Sequence, residues 1–331
     1  MTAPIALLLP GQGAQHPGMA RELYGREPEF TATLDGFFDL MGAPGRALRD
    51  DWLTDTPAVP LDDASRSQPL LFALGYAIGR ALRSRGVHPR AVLGHSVGEL
   101  AGAALAGVFD LPSAARIMLA RTEAMAKVPA GGMLAVAAPP QTLAPWTEDI
   151  DPCDPGRIAL AAVNAPAQTV LAGPEEALSH ASRSLRRAGL AARRVPALQP
   201  FHCPATEGAA AEFIEAFARE PLHAPALRVQ STRTARPVEA AEAVDPRFWA
   251  GQLSRPVFFW PALDALLREG PWTLVETGPG RGLSLFARRH PEVRAGRSEV
   301  VALLPSHAPG TYEAWLAAVE RLAGAAAPAG T

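Results

Sequence analysis

Cysteine and lysine are almost missing from this sequence. Two cysteines in 331 residues, Cys153 and Cys203, build neither a disulfide framework nor a thiolate metal cluster, so the chain reads as a reduced, cytoplasmic protein without a metal. Of its 31 basic residues only Lys127 is lysine. That arginine excess, with abundant Ala, Gly and Pro, reads as coding bias, and the Arg-rich run 183–194 has the spacing of a solvated helix face. A formal net charge of −2 removes nucleic acid as a default partner. No basic residue precedes Arg21, the run 5–10 is too short for a signal-peptide core, and no apolar stretch reaches membrane-spanning length. Neither export nor a membrane is expected.

What is present suits an α/β protein long enough to bury its own core. Ile5-Ala6-Leu7-Leu8-Leu9 reads as a buried strand, stopped by Pro10 and the turn Gly11-Gln12-Gly13. After an irregular helical region to about Leu53, Ser67-Gln68-Pro69 opens a helix to about Arg85, with Pro69 in its first turn. Ala91-Val92-Leu93 is a strand, and residues 100–108 and 112–127 are helices. Past Gly131-Gly132 the texture changes to strands at 133–137, 158–164 and 169–172, a helix over 174–188 and a strand at 191–195. The first texture returns after Pro200 with helices over 204–219 and 257–269 and strands at 228–231 and 272–276. This pattern predicts a large domain from residues 1–130 and 199–323, a small α+β unit inserted at 131–198, and a disordered Ala/Gly/Pro tail at 324–331.

Gly94-His95-Ser96-Val97-Gly98-Glu99 sits between strand and helix with a serine at the apex of a G-x-S-x-G turn. The two glycines let strand and helix crowd together, so Ser96 stands clear as a nucleophile; the alternative is a serine that only caps a helix. A nucleophile needs a base. His95 lies within the turn, where its side chain is expected to point away from Ser96, and six of the eight histidines lie in polar or loop context. His202, within Pro200-Phe201-His202-Cys203-Pro204 at the junction of the two textures, is either that base or a buried core histidine. Glu99 reads as a first-turn helix charge favoured by the macrodipole.

Together these residues resemble the acyltransferase family of malonyl-CoA:acyl-carrier-protein transacylases and polyketide synthase acyltransferase domains. The likeness runs along nearly the whole chain in family order. It takes in Pro10-Gly11-Gln12-Gly13-Ala14-Gln15 with Gly18-Met19, Gln68-Pro69, the 94–99 turn, Arg121, Asn164-Ala165-Pro166-Ala167-Gln168, Pro200-Phe201-His202, Gln252-Leu253 with Pro256-Val257, and Glu276 with Gly278-Pro279-Gly280. The resemblance implies an α/β-hydrolase-like large domain with an inserted ferredoxin-like small subdomain. It implies that Ser96 attacks a thioester, His202 takes its proton, the amides of Val97 and Gln12 hold the oxyanion, and the backbone carbonyl of Gln252 orients His202 in place of an acid. Arg121 would pair with a malonyl carboxylate, or else be an ordinary surface arginine. Asn164 and His95 join the substrate-binding residues, and Val97 and Phe201 match malonyl-selective members. Cys203-Pro204-Ala205-Thr206 and Leu198-Gln199 depart from the family pattern around the histidine.

The activity implied is malonyl transfer from coenzyme A to the phosphopantetheine thiol of an acyl carrier protein, for polyketide or fatty-acid synthesis. The enzyme is expected to be free-standing, trans-acting and monomeric, with no cofactor; Gly11-Gln12-Gly13 lacks the third glycine of a dinucleotide fingerprint. One alternative keeps the fold and moves an unusual starter or aminoacyl group between carriers, or hydrolyses stalled acyl groups. A non-catalytic carrier-binding scaffold would have lost Ser96, His202 or Gln12.

Overall fold

Alternate residues of one strand, Ile5, Leu7 and Leu9 against Ala6 and Leu8, enter two separate hydrophobic cores on opposite faces of a sheet. They belong to a computed structural model that describes residues 3–147, 154, 156–305 and 310–326. Among the described residues the strands are β1 (Ile5–Leu9), β2 (Ala91–Gly94), β3 (Gly131–Val136), β4 (Ala159–Ala165), β5 (Gln168–Pro174), β6 (Ala192–Val195), β7 (Arg228–Gln230), β8 (Thr273–Glu276) and β9 (Glu299–Ala302). The larger sheet is parallel throughout, in the order β7-β2-β1-β8-β9. Helices Ala64–Ser84 and Val97–Leu105 cover one face and Phe259–Arg268 the other, which is why β1 is apolar without alternation. Parallel strands bring the loops after β1, β2 and β8 to one edge, where ligands of open α/β sheets bind.

The smaller sheet is antiparallel, in the order β4-β5-β3-β6. Its chain order, strand, helix, two strands, helix, strand, is ferredoxin-like. Helix Glu175–Arg187 buries Leu178, Ala181 and Leu185 against Leu134, Val136 and Leu171, and leaves Arg183, Arg186 and Arg187 in solvent, as the spacing predicts. Two backbone bonds of 2.9 Å, Val163 N–H to Val257 and Val257 N–H to Ala161, tie this sheet to the larger layer.

Some expectations shift. The helix expected from Ser67 opens at Ala64, because the Asp63 carboxylate caps it by accepting from the Ser65 amide at 2.8 Å. Pro69 is therefore interior rather than in the first turn; the burial of nearly every residue from Ser67 to Leu82 outweighs the lost backbone bond. Val257, expected in a helix, is bridged to β4, and that helix starts at Phe259. Strand β9 and helix Gly282–Ala287 carry no signal in the sequence reading. Helix Thr311–Ala326 runs into the segment expected to be a tail, whose last residues lie outside the described ones, as does Cys153. Among the described residues no helix is long and apolar enough to cross a membrane, and no three His, Cys, Asp or Glu are grouped to hold a metal.

Candidate active site

Ser96 occupies a left-handed backbone conformation, φ 54° and ψ −123°, between β2 and helix Val97–Leu105. A Cβ at Gly94 would come within 2.2 Å of the Glu99 amide, and one at Gly98 within 2.1 Å of the Leu9 carbonyl. Only glycine permits that approach, which presses the turn against the end of β1 just before Gln12. The amides of Val97 and Gln12 make no backbone hydrogen bond among the described residues.

His202 meets the serine across the sheet edge: Ser96 Oγ lies 2.7 Å from His202 Nε2. His202 also has a positive φ of 63° and is 2 % exposed. Its amide donates to the Leu253 carbonyl at 2.8 Å, and its Nδ1 faces the carbonyls of Gln252 at 2.8 Å and Arg255 at 3.1 Å. Two acceptors at Nδ1 fix the ring proton there, leaving Nε2 to accept from the serine hydroxyl. Burial, with help from the nearby Arg121 and His95 charges, lowers the His202 pKa to about 3, so the ring is a neutral base at physiological pH. The Gln252 carbonyl lies beside the ring, and the Arg255 carbonyl is a second contact with no counterpart in the motifs.

Arg121 is not a surface residue. It is 1 % exposed, its Nε donates to Gln68 Oε1 at 2.5 Å, and among the described residues its Nη1 and Nη2 have no hydrogen-bond partner. The Phe213 ring lies 5.7 Å from the guanidinium carbon. Burial pulls its pKa down to about 9, still high enough to keep the charge at neutral pH. Gln68 Nε2 donates in turn to Gln12 Oε1 at 3.1 Å, so Gln68 links the Gln12 loop to Arg121. The Gln68-Pro69 motif was the available signal for that role, though it does not name the contact.

His95 Nε2 is 2.8 Å from Asn164 Oδ1, so the two residues clamp the serine turn to β4 of the small sheet. Burial lowers the His95 pKa. Phe201 is buried, with its ring 6.4 Å from the His202 ring. Cys203 points its thiol to the Pro200 carbonyl at 3.0 Å, and burial raises its pKa to about 11, the opposite of a reactive cysteine. Glu99, read from sequence as a first-turn helix charge, is instead 1 % exposed and accepts from the Thr232 hydroxyl at 2.5 Å, the Thr232 amide at 3.3 Å and Gln252 Nε2 at 3.1 Å. Its partners lie more than a hundred residues away, which hides them from any local reading. His290 is likewise buried, 3.1 Å from Asp264.

A family model for an acyl transferase domain matches residues 7–322. The chain belongs to the acyl transferase domain family. This acyltransferase is 37% identical over 292 residues to a phenolphthiocerol/phthiocerol polyketide synthase polypeptide of Mycobacterium tuberculosis, an alignment covering 87% of the chain and 19% of the relative. It therefore spans about a fifth of the length of that relative. It superposes on the acyltransferase domain from the second module of the salinomycin polyketide synthase with TM-score 0.86 and 34% identity, over 96% of this chain and 72% of the other. The malonyl CoA-acyl carrier protein transacylase of Coxiella burnetii matches with TM-score 0.82 and 26% identity, over 98% and 99% of the two chains.

Proposed function

We propose that the enzyme moves a malonyl group from coenzyme A to the phosphopantetheine thiol of an acyl carrier protein, through an acyl group held on Ser96. Ser96 Oγ attacks the thioester carbonyl while His202 Nε2 takes its proton, and the amides of Val97 and Gln12 hold the oxyanion. Collapse breaks the C–S bond, and His202 returns the proton to the departing thiol. The carrier thiol repeats the sequence in reverse at the acyl-serine, so one base serves both half-reactions.

The observation that carries the acyl group is Arg121, a buried guanidinium with two unpartnered nitrogens. A carboxylate fits that fork bidentately and supplies the counter-charge the free protein lacks. Intact-protein mass spectrometry after incubation with malonyl-CoA, acetyl-CoA and methylmalonyl-CoA tests it: a malonyl adduct is expected, and exclusive adduct formation from another donor refutes it. One observation favours a second reading, transfer of a starter or aminoacyl group between carriers. Among the described residues Gln199 Oε1 is buried without a partner, and Gln199 lines the same cavity of about 240 Å³ as Arg121 and Gln68. An acceptor there suits an acyl group bearing N–H or O–H, so aminoacyl and hydroxyacyl thioesters belong in the same panel.

A further inference from the structure

The buried carboxylate of Glu99 makes no hydrogen bond to Ser96 or His202, yet it reaches the segment that holds the base. Residues 251–255 supply three carbonyls to His202: Gln252 and Arg255 to Nδ1, and Leu253 to the backbone amide. Glu99 Oε2 accepts from the side chain of that same Gln252 and from both donors of Thr232, in the loop after β7. The helix that begins at the nucleophile thereby braces the turn that aims the base. We propose that Glu99 is a positioning residue for the Ser96–His202 pair, acting through the Gln252 side chain to fix the carbonyls that set the ring's tautomer and direction. It is the acid of this site at one remove, touching the support of the histidine and not the histidine. The proposal rests on Ser96 and His202 being the reacting pair.

The Thr232 hydroxyl and amide and Gln252 Nε2 address one oxygen, Oε2, and the Ser231 side chain adds a further hydrogen bond to the carboxyl; Glu99→Gln can present an amide oxygen to the Oε2 donors, while Glu99→Leu cannot. The test uses an uncharged alkyl fluorophosphonate, which forms a P–O bond to Ser96 with loss of fluoride and needs no acyl specificity. Ser96→Ala is the separate control, since labelling that survives it undermines the reacting pair and not the role of Glu99. Glu99→Leu is expected to lower the maximal labelling rate by about 100-fold at unchanged probe affinity, and Glu99→Gln by less than about fivefold. The low-field Nδ1 proton resonance of His202 should persist in Glu99→Gln and shift or vanish in Glu99→Leu. Gln252→Met keeps the carbonyl but removes the amide; combined with Glu99→Leu it should add almost nothing, because the pair acts as one unit. Should Glu99→Leu not fold, Thr232→Val, which removes one donor to the same oxygen, should slow labelling by about fivefold with the resonance moved. Wild-type labelling in Glu99→Leu, or in Thr232→Val where it takes that place, overturns the proposal. So do a loss confined to probe affinity, equal losses in Glu99→Gln and Glu99→Leu, or additive losses in the double variant.

Discussion

Replacing Arg121 with methionine separates the acyl readings and tests the electrostatics of the pocket in one variant. Among the described residues the free guanidinium donates to Gln68 Oε1 and lies over the Phe213 ring, and its two Nη atoms have no hydrogen-bond partner. The fall of its pKa from 12.5 to about 9 corresponds to about 5 kcal/mol of solvation lost on burial, at 1.36 kcal/mol per pH unit. A malonyl carboxylate bound there recovers part of that deficit, and removing the arginine strands the carboxylate, a loss of roughly 3–5 kcal/mol for a pair broken from one side. Malonyl kcat/KM should therefore fall by about two to four decades. Acetyl has no charge to strand, so its kcat/KM should hold or rise. The same substitution removes an uncompensated buried charge and fills its space with an apolar chain, so the unliganded variant should melt at a higher temperature than wild type. Steady-state kinetics with both donors and a thermal melt without ligand suffice. Equal losses for acetyl and malonyl, or a lower apo Tm, would show that Arg121 is structural and the reasoning is wrong.

Ser96→Ala should stay folded and form no acyl adduct, with transfer down by several orders of magnitude; a mass increase from malonyl-CoA in this variant would move the nucleophile elsewhere. His202→Ala should slow acylation and deacylation together, whereas Cys203→Ala should leave both within a few-fold, and pre-steady-state kinetics showing the larger defect in the cysteine variant would reverse the assignment. The His202 pKa of about 3 lies below the ordinary 6.5, so between these values the unfolded chain binds a proton the native one refuses, and stability is full above pH 6.5 and declines as pH falls. His202→Gln should recover about 1.4 kcal/mol of that decline at pH 5.5, measured by denaturant unfolding against wild type; His95 acts with the same sign but remains in both proteins. An unchanged acid limb in the variant would mean that the imidazole is protonated in the fold.

Local chemistry made much of this molecule legible. Residues 5–9 read as a short buried strand, which the structure covers on both faces, and the glycines at 94 and 98 announced the tight turn that places Ser96. The change of texture at Gly131 marked the start of the second sheet. Contacts across long stretches of chain were not legible. Glu99 looked like a helix-end charge because Thr232 and Gln252 lie 133 and 153 residues away. Arg121 had two readings until the packing around it showed that it is buried. The start at Ala64 turned on the Asp63 cap, and Pro69 drew attention to the wrong end of the turn. Strand β9 is short, and its pairing with β8 is visible only once the sheet is assembled.

Ser96 and His202, the proposed reacting pair, hold backbone angles that ordinary side chains avoid, φ 54° and 63°. Each such position costs of order 1–3 kcal/mol, which the surrounding packing must absorb. Glycine at either place would relax that strain and silence the enzyme in the same step.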